Sequence, residues 1–258
     1  MPQEASAVLT GNLIATANLT SSSEDSTFVL SNLRDKIAAN VFKWTSAPTA
    51  GAITIKADDT DPPTTVVASP ALAAGNVWAD VAVTSARYLR IEVDAHWLQV
   101  DFGSSIAYDT VAIINHNWDQ TDLDAQLGEL VVETRTVLPR AHRYGKSRII
   151  EENDTIHETI RGVVWAFHLF ERKVRIFTWR ILESQLSTFE VFHQAVQGRI
   201  EPFVFILDEA IVTSEVLYVR KDKDLVAREL RNPTSQGTER VYDVGLAVVE
   251  ESAGEEVT

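Results

Sequence analysis

Tyr88-Leu89-Arg90-Ile91-Glu92-Val93, followed closely by Trp97-Leu98-Gln99-Val100-Asp101-Phe102, decides the fold of this chain. Apolar and polar residues alternate in both stretches with period two, the mark of strands buried on one face only. Gly103 reads as the close of the second strand. Beyond it, Thr110-Val111-Ala112-Ile113-Ile114-Asn115 is almost continuously apolar, as a strand covered on both faces is. Working towards the N-terminus, residues 77–83 and 65–67 read as further strands. Ile53-Thr54-Ile55-Lys56 is a β-branched run ended by Asp58-Asp59-Thr60-Asp61-Pro62-Pro63, where paired prolines forbid a central ladder. Residues 7–16 alternate weakly. Turn signals recur about every ten residues with few helical windows between them, which points to a β-sandwich.

Past a polar, charged connection around residues 140–155, containing Gly145, the chain resumes with 163–167 and then Lys173-Val174-Arg175-Ile176-Phe177-Thr178-Trp179-Arg180-Ile181. In that run Lys173, Arg175 and Phe177 are expected on a cationic face, with Val174, Ile176 and Thr178 on an apolar one. One convincing helix follows, over about 187–197. Ser187 and Glu190 have capping-box spacing, Gly198 supplies the stop, and Leu186, Phe189, Phe192 and Val196 form a core-facing stripe. Phe203-Val204-Phe205-Ile206-Leu207 is a short, fully apolar strand, and residues 216–220 and 241–250 complete the set. The expected fold is mainly β, with two β-sandwich-like domains, 1–145 and 146–258, the second carrying the helix on its sheet.

The 258 residues are 45% hydrophobic and 23% charged, which excludes a wholly disordered or collagenous chain. No run reaches the ~18 apolar residues of a membrane span, and Met1-Pro2-Gln3-Glu4 lacks the basic start of a secretory signal. The absence of cysteine removes disulfides, thiolate metal sites and cysteine nucleophiles. A formal net charge of −14 argues against general nucleic-acid binding, which needs a basic face to release counterions. The charge is uneven: residues 1–130 hold 6 Lys and Arg against 16 Asp and Glu, whereas residues 131–258 hold 17 against 21. A solvated surface accounts for this, and so does a chain whose acidic front meets the mixed back of a neighbour.

Few residues announce chemistry. The six histidines never stand at i,i+4, and His116, following a buried strand, is the most suggestive of them. The cluster at Asp58, Asp59 and Asp61 lacks the rest of a calcium-loop pattern and reads as a solvated loop, as do Asp119, Asp122 and Asp124. No nucleophile elbow, P-loop or dinucleotide fingerprint occurs, so the expectation is a protein that is not an enzyme and carries no metal or cofactor. Spatially assembled carboxylates of a polysaccharide hydrolase stay open, since they leave no sequence signature. Trp44, Trp97 and Trp118, with His116, are the candidate contacts for a glycan or a protein partner, and one of the three tryptophans is expected to be exposed.

The second unit also carries a resemblance. Trp179-Arg180-Ile181 closing a charged strand, the helix and Gly198, then Glu201-Pro202-Phe203-Val204-Phe205 and Tyr242-Asp243-Val244-Gly245-Leu246, resembles minor tail proteins of long-tailed bacteriophages, of the tail-tip and distal-tail type, over roughly residues 160–250. The first unit resembles a discoidin or galactose-binding jelly roll in Ser31-Asn32-Leu33 with Phe42-Lys43-Trp44, in Trp97-Leu98-Gln99-Val100-Asp101-Phe102-Gly103 and in the strand of residues 111–117. It departs from that family in order, because Ala86-Arg87-Tyr88-Leu89-Arg90-Ile91, which looks like the family's closing strand, comes first. The resemblance implies a structural protein of a tail tip or baseplate in the virion, assembled in the host cytoplasm. It implies a ring formed with copies of itself, contacts with other tail proteins, and Lys173, Arg175 and Arg180 between subunits. A carbohydrate-binding module that contacts host surface glycans is the alternative.

Overall fold

The alternating stretches of residues 88–93 and 97–102 lie side by side in one long antiparallel hairpin. The structure is a computed structural model and describes residues 5–22, 40–43, 53–71, 75–93, 96–116, 124–127, 129–139, 147–158, 164–196, 202–209, 215–230 and 240–250. In chain order these form β1 (Ala7–Leu9), a 3-10 turn (Leu13–Thr16), β2 (Asn18–Ser21), β3 (Asn40–Lys43), β4 (Thr54–Asp58), β5 (Val66–Ala68), β6 (Gly75–Val93) and β7 (His96–His116). There follow β8 (Asp124–Leu127), β9 (Glu129–Glu133), β10 (Thr136–Val137), β11 (Ser147–Glu158), β12 (Val164–Leu182), α1 (Glu183–Ala195), β13 (Phe203–Ile206), β14 (Val216–Lys221), β15 (Val226–Leu230) and β16 (Val241–Glu250). The fold is mainly β, as expected, with a single α-helix among the described residues.

A six-stranded sheet runs β2-β7-β6-β4-β5, with β9 also on β7, and an eight-stranded sheet runs β10-β1-β13-β14-β16-β12-β11, with β15 on β16. β3 and β8 form a separate ribbon. All strands of the six-stranded sheet precede residue 145, whereas the eight-stranded sheet takes β1 and β10 from that side and the others from beyond it.

Residues 77–83 and 88–93 are one strand rather than two, and Gly103 does not end β7. The β6–β7 register shifts between Asp80 and Val83, again before Ala86 and again before Tyr88, so extra residues are absorbed where the hairpin bends. Ala82 (φ +43°) and Gly103 (φ +76°) adopt left-handed backbone in this zone, and the absence of a Cβ makes that conformation cheap at Gly103. The bend lets both halves of the hairpin contribute to one core: Leu89, Ile91, Leu98 and Val100 share it with Val77, Ala79, Val111 and Ile113.

A second core lies between the eight-stranded sheet and α1, where Trp179, Phe189, Phe192, Phe203 and Phe205 pack together. Rings of Trp179 and Phe189 lie 5.3 Å apart, and those of Phe192 and Phe203 5.1 Å apart in edge-to-face geometry. The stripe of Leu186, Phe189, Phe192 and Val196 faces this core as expected, but the helix starts earlier than Ser187. Leu182 leaves β12 in extended conformation and acts as N-cap, its N–H donating to Gln185 Oε1 at 3.1 Å, while the Glu183 N–H donates to the Arg240 carbonyl at 2.9 Å. The strand thus feeds directly into the helix, which leaves Ser187 as an exposed interior residue. Gly198 lies outside the described residues.

A third core joins the two sheets. Trp78, Ala112, Ile114 and Val131 of the six-stranded sheet meet Ala7, Leu9, Val204, Ile206 and Val216 of the eight-stranded sheet. Their sequence neighbours Val111, Ile113, Leu130 and Val132 face the first core, and Val8, Phe203, Phe205 and Leu217 the second. Strands sandwiched in this way have no polar face, which is why residues 110–115 and 203–207 read as apolar runs. Polar ties cross the same seam: Asn76 Nδ2 donates to the Val216 carbonyl at 2.9 Å, and Arg135 pairs with Asp80 at 3.0 Å and Glu209 at 3.5 Å.

Candidate functional site

Because Leu89, Ile91, Leu98 and Val100 point into the first core, the alternate residues of β6 and β7 point out, and Asn18 and Thr20 of β2 stand on the same face. This face carries a cleft of about 420 Å³, floored by Tyr88 and Arg90 from β6 and by Trp97, Gln99 and Asp101 from β7. Asn18 and Thr20 form one wall, and Asp61 and Pro62, from the turn after β4, form the other.

That turn is held in place by its carboxylates. Asp58 accepts from the N–H groups of Thr60, Thr64 and Thr65 at 2.8–2.9 Å and from the Thr60 hydroxyl. Desolvation pushes its pKa up, but these donors prevail and hold it well below the usual carboxylate range. Asp59 accepts from the Arg87 N–H at 2.9 Å and from Ser105 Oγ, and Asp61 accepts from Gln99 Nε2 at 2.8 Å. The aspartates of the expected solvated loop are therefore fixed onto the sheet. Among the described residues no group of three or more His, Asp or Glu side chains is placed to hold a metal ion.

The floor is equally fixed. Arg87 grips Asp101 through two parallel bonds, Nε to Oδ1 at 2.8 Å and Nη2 to Oδ2 at 2.9 Å, and the Gly103 N–H adds a third at 2.8 Å. The guanidinium and that N–H hold the Asp101 carboxyl below its ordinary pKa. Arg90 lies over the Trp97 ring at 4.2 Å and pairs with Glu92 at 2.9 Å, while Arg87 lies over Tyr88 at 4.9 Å. Trp97 is half-buried and tied through its backbone to Ser22.

Of the candidate glycan or partner contacts, Trp97 is the one the described residues place in this cleft. Trp44 and Trp118 lie outside the described residues. His116 is not on a loop: it is the last residue of β7, buried opposite Gly75 and far along the strand from Trp97. Asp61, read in the sequence as part of a solvated acidic loop, lines the cleft from the turn after β4, and Arg90, Gln99 and Asp101 join it with no sequence motif of their own; their alternation with core residues is the signal that marks these three as outward-facing.

The cationic face of β12 is arranged differently from its sequence reading. Phe177, Trp179 and Ile181 point into the second core, so Arg175 stands on the core side, at its rim. Its side chain is 11% exposed and meets Glu215 at 2.6 Å and Glu250 at 2.5 Å. Arg180, on the opposite face, pairs with Asp243 directly across on β16 at 2.9 Å. Lys173 is half-buried opposite Ile150. Carboxylates of the same chain neutralise both arginines.

The eight-stranded sheet has one further feature. β16 pairs with β12 only from Val174 onward, whereas β11 pairs with β12 from Ile176 out to Val164. The hairpin β11–β12 therefore continues past the sheet from Ile150 opposite Lys173 to Glu158 opposite Val164, an arm of roughly 30 Å at ~3.4 Å per residue. Among the described residues no third strand flanks it. No helix of the described residues is long and apolar enough to cross a membrane. Compared with family models, with curated proteins and with solved structures, the chain matches none of them.

Proposed function

We propose that this protein is a structural component of a phage tail tip or baseplate, forming a ring by self-association and joining the tail tube to distal tail proteins in the virion. The observation that carries the reading is the β11–β12 arm. A two-stranded ribbon in water is marginally stable at best and leaves both edges as templates for pairing with another chain. An arm that extends from a firmly packed base and meets the next copy head to tail satisfies those edges, and such heterologous contacts close into a ring when the rotation allows it. The resemblance of residues 160–250 to tail-tip proteins supports the same reading, as does the sequence of Val164-Trp165-Ala166-Phe167-His168-Leu169-Phe170, unusually apolar for a ribbon that no third strand flanks among the described residues. Since Arg175 and Arg180 are neutralised within the chain, backbone pairing along the arm takes over the joining role first given to those cations.

The test is the assembly state of the purified full chain, by native mass spectrometry and negative-stain imaging across a concentration series. A closed ring of one copy number is expected. Thr155→Pro, which removes a backbone donor in the arm, should abolish the ring while the melting of the three cores is retained. A chain that stays monomeric at high concentration, or a ring that forms undiminished in Thr155→Pro, would overturn the proposal.

A further inference from the structure

An arm that joins copies needs a surface to receive it, and the eight-stranded sheet carries one. We infer that the free edge of β15 takes β11 of a neighbouring copy as an added strand. The inference names the partner surface of the ring reading and rests on that reading. β15 pairs with β16 alone, from Val226 opposite Gly245 to Leu230 opposite Val241. Val226, Ala227, Arg228 and Glu229 are all exposed, so the strand lacks cover on both faces. Among the described residues no hydrogen bond reaches its outer edge either. A strand left open on three sides gains little from its own chain, and the backbone groups along its edge are a template for another strand.

Other edges are shorter or already closed. β10 has two residues, β5 three and β2 four. β9 matches β15 in length, but Asn12 closes it, donating to the Leu130 carbonyl at 2.8 Å and accepting from the Val132 N–H at 3.2 Å. Val226 is 62% exposed, and opposite it no atom lies within 4 Å of where a Cβ on Gly245 would stand, so a side chain from an added strand has room to cover the valine. Charge selects β11 over β12 as the incoming strand. Glu229 meets Arg240 at 3.7 Å, and Arg180 already pairs with Asp243, the residue opposite Arg228. Arg228 makes no ion pair among the described residues and is the uncompensated charge of β15. β11 carries Glu151, Glu152, Asp154 and Glu158 against the single Arg148, whereas the arm portion of β12 carries Glu171, Arg172 and Lys173. Opposite charges on paired strands are favourable and like charges are not. Because β11 and β15 are different patches of one chain, their pairing is head to tail, the kind of contact that generates rings and not two-fold dimers.

The chain contains no cysteine, so engineered thiols report this contact without background. One full-length protein carries Ala227→Cys, a second carries a single cysteine at each position of β11 from Glu151 to Glu158 in turn, and the two are mixed, assembled and oxidised. Disulfide-linked pairs of unlike chains are expected, strongest at one β11 position and weak at its immediate neighbours, because only a directly opposite residue brings Cβ atoms within bonding reach. Arg228→Glu, which replaces an attraction across the new pair with a repulsion, should raise the concentration of half-assembly about tenfold while the melting of the single chain is retained. A ring in which Ala227→Cys links to no position of β11 would overturn the inference. So would its linking to itself or to Ala166→Cys or Phe167→Cys of β12, or assembly undiminished in Arg228→Glu. In those cases the ring stands and only its contact is misassigned, whereas a chain that stays monomeric overturns the assembly proposal and this inference together.

Discussion

Ile206 tests whether the two sheets fold as one unit. It is fully buried in β13, on the face that meets Trp78 and Ile114 across the seam, while its neighbour Phe205 faces the helix. Ile206→Ala removes three carbons, worth about 2.4 kcal/mol at ~0.8 kcal/mol per buried carbon. A residual cavity raises this to about 3–4 kcal/mol, inside the ~2–5 kcal/mol range of such truncations. Ile206 belongs to the eight-stranded sheet, so a loss confined to that sheet would leave exchange at Leu89, Ile91 and Val100 untouched. If the seam couples the sheets, those amides open only with the whole molecule, and their protection falls by the same free energy. About 3 kcal/mol corresponds to a factor of roughly 150 in exchange rate. Hydrogen exchange read by mass spectrometry, with peptides covering β6 and β7 and peptides covering β13 and β14, measures both at once. Unchanged protection at residues 88–101 alongside a hundredfold loss at 203–219 would refute the coupling.

Four further outcomes follow from single side chains. Glu133 accepts from the Gly11 N–H at 2.7 Å and from the Thr10 N–H, and desolvation pushes its pKa up. Glu133→Gln should accordingly be neutral or stabilising at pH 7, whereas Glu133→Ala should cost about 1–3 kcal/mol by orphaning both donors, as urea titration will show. Asp58 has a folded pKa depressed below the ordinary 3.8, so its contribution to stability is present above that value and lost as pH falls below it. The turn that walls the cleft should therefore stay in place through the ordinary carboxylate range and loosen only well below it, as the folded carboxyl itself takes a proton; a wild-type Trp97 signal that changes with a midpoint near the ordinary 3.8 would contradict this. Ser187→Ala should change stability by less than ~0.5 kcal/mol, because the residue is interior to α1, where a true N-cap would lose about 0.5–2 kcal/mol. Arg175→Ala, which leaves Glu215 and Glu250 facing each other at the rim of the second core, should cost about 1–3 kcal/mol in thermal or urea unfolding.

Legibility in the sequence tracked how much a residue's role depends on its immediate neighbours. Period-two alternation at 88–93 and 97–102 is a local property, and so is the absence of any polar face at 110–115 and 203–207. Both give the right faces and the right burial, because a strand covered on both sides has to be apolar at every position, although 97–102 and 110–115 are parts of the one strand β7. The helix stripe was legible for the same reason, but its start was not. A Ser-x-x-Glu pattern competes with a strand that enters the helix directly, and only the position of Arg240, whose carbonyl takes the Glu183 N–H, shows which one holds.

The face of β12 shows where local pattern fails. Arg175 and Phe177 share parity, and charge argued for placing that side in solvent. The side is in fact set by Trp179 and Ile181, which must bury against Phe189 and Phe205, so Arg175 is carried inward with them. It is tolerated there because Glu215 and Glu250 reach its guanidinium, from residues 40 and 75 positions further along the chain. The cleft follows the same logic in reverse. Arg90, Gln99 and Asp101 were visible as the polar half of an alternating strand, but the walls come from Asn18, Thr20 and Asp61, brought alongside by β2–β7 pairing and by the Gln99–Asp61 bond. An alternating strand thus states its own faces, while what its polar face meets is fixed by strands that pair with it from far away in sequence. The residues of the cleft that only the fold could place are therefore Asn18 and Thr20, which carry no local signal and owe their place to topology alone.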